Sequence, residues 1–265
     1  MTVKRPLSYL CFTLMGLSFF LSGCASVEPV PSYGPEGEET LRKVLAVMEA
    51  QEEKVHSFYG SALLVAGKWY GKSEADMVMV GTRDPFRLKM EVTHAWGKPL
   101  AHILVDKGRV EILSFQERKL YMGTSSAQVL SRFFPGKISE DLVWSVLRGY
   151  PSLRPYRAVP TREDDRFVLL DGQSRVSGNF SIFRSDLWPA TVHLSDKGLS
   201  LSFSQYQTVN GIDYADEVRM EVKAGGGALI VKDKKMVFNR PVPLDVFSIH
   251  KPADFETVNL TEERE

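Results

Sequence analysis

The segment Leu199-Ser200-Leu201-Ser202-Phe203-Ser204 alternates apolar and hydroxyl side chains without a break. A period of two belongs to a strand with one buried and one wet face, and a helix cannot satisfy it. The pattern recurs. Met77 and Met79 alternate with Asp76 and Val78, and Leu88, Met90 and Val92 with Arg87, Lys89 and Glu91. Ala101, Ile103 and Val105 alternate with His102, Leu104 and Asp106, and Val110 and Ile112 flank Glu111. Val218, Met220 and Val222 alternate with Glu217, Arg219, Glu221 and Lys223. Short connections between such runs predict antiparallel pairing. Gly225-Gly226-Gly227 sits between two runs and reads as a hairpin turn rather than a phosphate cradle.

Three segments break this period. Residues 38–55 place Leu41, Val44, Leu45, Met48 and Val55 on one helical face, with Glu38 and Glu39 at the positive end of the helix dipole. Ser125 or Ser126 can cap a short helix that runs to about residue 134 and stops at Pro135-Gly136. Ser139 can cap another, with Leu142, Val143, Val146 and Leu147 on its apolar face and Gly149 at its end. Strands lie on both sides of this helix pair in the sequence. The expectation is an α+β, mainly β domain over 38–265. Its sheet is expected to be strongly curved and antiparallel, an incomplete barrel of about 10–11 strands with helices packed in its concave side. Met77, Met79, Leu88, Met90, Ile103 and Ile112 should then face the interior from the sheet, and Val129, Phe133, Leu142 and Leu147 from the helices. Flexible, polarizable methionines suit a cavity that accepts varied lipid chains.

The N-terminus carries an address. Lys4 and Arg5 precede an apolar run from Leu7 to Leu21, about 15 residues, where a bilayer-spanning helix needs about 20. The run ends in Leu21-Ser22-Gly23-Cys24, which resembles the bacterial lipobox. Residues 1–23 are therefore expected to be a signal peptide and Cys24 to be lipidated. The 242 residues that follow cleavage keep Cys24 as their sole cysteine, so no internal disulfide can form. Residues 25–37, with Pro29, Pro31, Pro35, Gly34 and Gly37, read as a tether of roughly 40 Å when extended.

Composition excludes several functions. The chain has 33 basic and 33 acidic side chains, and losing Lys4 and Arg5 leaves 31 basic ones, a net charge of −2. That argues against a nucleic-acid partner. Gly-x-Ser-x-Gly, His-Glu-x-x-His, Walker and dinucleotide-binding motifs are absent, and His56, His94, His102, His193 and His250 show no ligand spacing. No metal, cofactor or catalytic residue is expected.

Asp84-Pro85-Phe86-Arg87-Leu88, the loop 93–99 with Gly97, a strand to Asp106, Tyr121, and helices ending in Leu147-Arg148-Gly149-Tyr150-Pro151 follow the order found in the LolB family. The similarity covers roughly residues 40–240 and is clearest over 57–151. The end of the chain, from Phe238-Asn239 through Phe247 to Pro252, resembles the LolA side of the same superfamily. The resemblance implies a monomeric lipoprotein anchored in the outer membrane by its N-terminal lipid and facing the periplasm. Such a protein shelters acyl chains and takes lipidated proteins from a LolA-like carrier. It also implies that Trp96, in the loop matching a projecting LolB loop, contacts the membrane; tryptophan favours the bilayer interface. Two other readings stay open: a tethered structural or adaptor lipoprotein whose core is filled by its own side chains, and a hydrolase whose residues meet only in the fold.

Overall fold

The alternating segments pair with their sequence neighbours into two meanders. The first contains β1 (Ser57–Lys68), β2 (Gly71–Thr82), β3 (Arg87–Thr93), β4 (Pro99–Asp106), β5 (Arg109–Ser114) and β6 (Lys119–Thr124). The second contains β7 (Arg157–Pro160), β8 (Arg166–Leu170), β9 (Val176–Ile182), β10 (Pro189–Leu194), β11 (Leu199–Val209), β12 (Ile212–Val222) and β13 (Gly227–Phe238). A last strand, β14 (Glu256–Asn259), follows. The computed structural model describes residues 35–68, 71–130, 136, 138–223 and 227–260. The leader, Cys24, Phe133 and the turn residues Gly225 and Gly226 lie outside the described residues.

The two meanders join where β1 pairs antiparallel with β13, with Leu64 opposite Val231 and Ala66 opposite Leu229. The result is one sheet of 14 strands in the order β14-β6-β5-β4-β3-β2-β1-β13-β12-β11-β10-β9-β8-β7. This corrects the expected strongly curved, incomplete barrel of 10–11 antiparallel strands. The sheet is open, neither closed on itself nor strongly curled, and β14 runs parallel to β6, so the sheet is mixed. The physical reason lies in the connection between the meanders. Residues 125–156 leave β6 near one end of the sheet and enter β7 at the other. They cross the face of an open sheet, and no curling is needed to bring strands on both sides of them in sequence into one layer.

That crossing carries α2 (Ala127–Leu130) and α3 (Glu140–Arg148). Together with α1 (Pro35–Glu53) they cover one face and enclose the main core. The helix α1 begins three residues before its expected start, and Leu41, Val44 and Met48 are buried along it as its periodicity predicts. Ser126 Oγ accepts the Val129 N–H at 3.4 Å. Ser139 occupies the N-cap position of α3, but its hydroxyl makes no capping bond.

The chain after β13 crosses the opposite face. The Asn239 N–H donates to the Ser57 carbonyl at 2.9 Å. Phe247 then closes a small second core with Val80 and Leu104. The segment is fastened by Asp254 to Arg118 before β14 pairs with β6. This covers an edge that would otherwise present unpaired backbone groups. Both cores are built entirely from residues 41–260. A chain beginning at Ala25 therefore keeps every core side chain.

Candidate functional site

The space between α3 and the sheet is filled at one end and empty at the other. At the filled end Phe58 and Trp144 pack with ring centroids 4.9 Å apart. Gly81 leaves room for them, since a Cβ there would lie 2.9 Å from Phe58 and 3.0 Å from Trp144. At the other end the strands carry Ala66, Gly67, Ser73, Gly227 and Ala228 instead of aromatic rings, and a cavity of about 590 Å³ opens there. Its floor is Leu64, Met77, Met90, Val92, Ile103, Met220, Leu229 and Val231. Its roof is Ile138 with Leu142, Val143, Val146 and Leu147 of α3. Lys72 and Ser73 supply the polar side chains of its lining.

The roof is fixed at its C-terminal end. Gly149 adopts φ 80°, and its N–H donates to the Ser145 carbonyl. A Cβ on Gly149 would sit 2.5 Å from the Ala215 oxygen, so only glycine brings α3 this close to β12. The Ala215 N–H donates to the Gly149 carbonyl at 2.6 Å. Lys234 of β13, 3% exposed, donates to the carbonyls of Val146 and Ala215, each at 3.1 Å. Burial pushes this amine down to about 7, against which the Asp216 carboxylate pulls it up. Arg148, 2% exposed, donates to the Gln51 carbonyl of α1 and lies 4.7 Å from the centroid of the Tyr150 ring. Burial lowers its pKa and raises that of Tyr150. Gln51 in turn donates to Asp213 Oδ2 at 2.8 Å, which ties α1 to β12.

Of the side chains expected to face an apolar cavity, Met77, Met90, Ile103, Leu142 and Leu147 line this one. Met79, Leu88, Ile112 and Val129 are buried in the same core but do not line it. Met79 lies over Gly60, where a Cβ would come within 2.8 Å of its methyl group. Alternation carries no information on which positions α3 leaves uncovered. The small residues at the ends of β1 and β13 were the readable signal for the opening. Lys234 also had one, because it shares a strand face with Met236 and Phe238.

Trp96 is 78% exposed, at the tip of the β3–β4 hairpin. His94 donates its N–H to the Lys98 carbonyl at 2.8 Å, and Gly97 turns the chain at φ 80°. The indole stacks on His94 with centroids 4.9 Å apart. Among the described residues no group of three or more His, Cys, Asp or Glu is placed to hold a metal. No helix among them is long and apolar enough to cross a membrane.

No protein-family model matches the chain, and no curated protein does. Solved structures do match in fold. A LolA superfamily protein from Nitrosomonas europaea superposes with a TM-score of 0.53 at 11% identity, covering 78% of this chain and 97% of that one. A DUF1329 family protein from Desulfovibrio piger gives 0.53 at 10% identity, covering 80% and 95%. The chain thus has a LolA/LolB-like fold: an open sheet with helices laid across one face and an apolar cavity between them.

Proposed function

We propose that this chain is a periplasm-facing lipoprotein that binds acyl chains beneath α3 and helps to receive lipoproteins or lipids at the outer membrane. The cavity carries the reading: about 590 Å³ of apolar space lies within the range of small-molecule sites, in a fold shared with a LolA superfamily protein. Residues 1–23 are removed as a signal peptide, Cys24 is acylated, and 24–37 tether the domain to the bilayer. A LolA-like carrier and lipidated proteins are its partners.

The mechanism is binding without chemistry. Each methylene withdrawn from water contributes about 0.8 kcal/mol. Ten buried methylenes give about 8 kcal/mol of transfer energy, and the cost of association and of ordering the chain is subtracted from it. Transfer then runs from a weaker apolar site to a stronger one and on to the bilayer, with no nucleotide required. Trp96 stands where it can enter the interface.

Two experiments test this reading. Membrane-extracted protein should have the intact mass of a chain starting at Cys24 and carrying acyl groups. The chain from Ala25 onward should bind a fluorescent fatty acid saturably. Ala66→Trp, which places a ring at the cavity opening, should lower that affinity at least tenfold. Equal binding by the variant would remove the cavity from the account.

A further inference from the structure

We infer that the outer face of the sheet carries, at the end where the cavity opens, a docking site for the anionic headgroup of a bilayer phospholipid. The inference rests on the membrane-contact reading of Trp96 and adds the chemistry of the surface that is met.

Both faces of the sheet are apolar at this end. Leu64-Val65 of β1 and Leu229-Ile230-Val231 of β13 break the alternation that holds elsewhere. Leu64, Leu229 and Val231 line the cavity. Val65 and Ile230, opposite each other in register, floor a groove of about 620 Å³ on the outer face. The groove shares Gly67, Lys72, Gly227 and Ala228 with the cavity, and no residue of the C-terminal segment lines it.

The rim of the groove is cationic. Lys72, Arg219 and Lys223 border it. Arg219 is engaged by Glu221 at 2.7 Å, whereas Lys72 and Lys223 have no hydrogen-bond or ion-pair partner among the described residues. Register fixes where the acids stand. Gly67 pairs with both Lys72 and Ala228, and Ala228 with Glu221, so this row lies next to two hairpin turns, with Lys223 beyond it. The free carboxylates Glu74 and Asp76 stand farther back along β2, roughly 7 and 13 Å behind Lys72. A charged surface that approaches the turns meets two free ammonium groups first. The field of the acids behind them decays over about 8 Å at physiological salt.

The source of the anion follows from what shares this end. β3 ends at Thr93, opposite Asp76 and one position beyond Val92 of the cavity lining. The hairpin tip with Trp96 therefore projects from the same end of the sheet as the groove. An indole in the interface brings Lys72 and Lys223 to the headgroup region, where a phosphate accepts charge-assisted hydrogen bonds. The cavity then opens toward the bilayer that receives its acyl chains.

The test uses the chain from Ala25 onward, which has no lipid anchor, and co-sedimentation with vesicles of phosphatidylcholine with or without phosphatidylglycerol. Phosphatidylglycerol should tighten binding by about tenfold or more. Lys72→Glu with Lys223→Glu should abolish that gain, and Lys72→Arg with Lys223→Arg should keep it. Lys107→Glu with Arg109→Glu, the same charge change at the opposite end of the sheet, should leave it within about twofold. Trp96→Glu should weaken binding to both vesicle types by a similar factor. Inorganic phosphate at constant ionic strength should not displace the chain, and displacement would assign the groove to a free anion instead of a bilayer. Equal binding to the two vesicle types, or an equal loss in the two double variants, would overturn the headgroup site and leave the Trp96 contact standing. A natively folded chain that binds neither vesicle type would overturn the Trp96 contact as well.

Discussion

Lys234 Nζ donates to the backbone carbonyl of Val146 at 3.1 Å, so a buried amine from β13 binds the negative end of the helix that roofs the cavity. A free carbonyl at that helix end would be costly under the sheet, and the lysine satisfies it together with the Ala215 carbonyl.

This contact makes stability depend on pH. Burial pushes Lys234 down to about 7 from an ordinary value of 10.5. Between those values the unfolded chain holds a proton that the folded chain has released, so this group's contribution to stability rises with pH. Below 7 the full cost of burying the charge is present, and it is relieved as pH climbs toward 10.5. In urea unfolding, the stability difference between wild type and Lys234→Met should move in favour of wild type by about 2 kcal/mol from pH 7 to pH 9. A difference independent of pH would show that the amine is not protonated on unfolding in this window.

Leu147 and Leu88 separate cavity from core. Both are buried, but only Leu147 borders empty space. Leu88→Ala should cost about 3–5 kcal/mol and leave fatty-acid affinity unchanged. Leu147→Ala should cost about 2–3 kcal/mol, because fewer contacts are lost beside a void, and should alter that affinity. Equal costs with unchanged binding in both would mean that the cavity is closed in solution.

Trp96 at the β3–β4 tip contributes almost nothing to packing. Trp96→Glu should change stability by less than about 0.5 kcal/mol, as expected of an exposed site. It should weaken binding of the chain from Ala25 onward to liposomes. A loss above about 2 kcal/mol in thermal unfolding would place the indole in the core, and membrane contact would fall with it.

Phe247 holds the C-terminal segment across the outer face. Its ring lies 5.7 Å from the Arg87 guanidinium and packs against Val80 and Leu104. Phe247→Ala should destabilise the chain by about 3–4 kcal/mol and raise the fluorescence of a hydrophobic dye. Unchanged dye binding would show that the segment stays docked without its anchor.

Alternation made the strand faces legible, and the helical period made α1 and α3 legible, because both are local consequences of one face being buried. Trp96 between Gly97 and two clean strands likewise pointed to an exposed tip. The openness of the sheet was not legible. It depends on where residues 125–156 land, at β7 on the far edge, which is a non-local fact. Leu104 looked like a surface leucine because the segment covering it arrives from Phe247, far along the chain. β14 is four residues long with little burial, and it is held by backbone pairing and an exposed Lys119–Glu256 ion pair, so its sequence carries no apolar pattern. The cavity was half legible. Met77 and Met79 are indistinguishable by period, yet Met77 lines the space and Met79 fills the room above Gly60.

The most direct measurement is a crystal structure of the chain from Ala25 onward with a fatty acid brominated near its methyl end. The expected result is anomalous bromine density between α3 and the sheet, beside Met90 and Ile103. Bromine found solely on the outer face, with the space beneath Leu147 filled by the protein's own side chains, would contradict it.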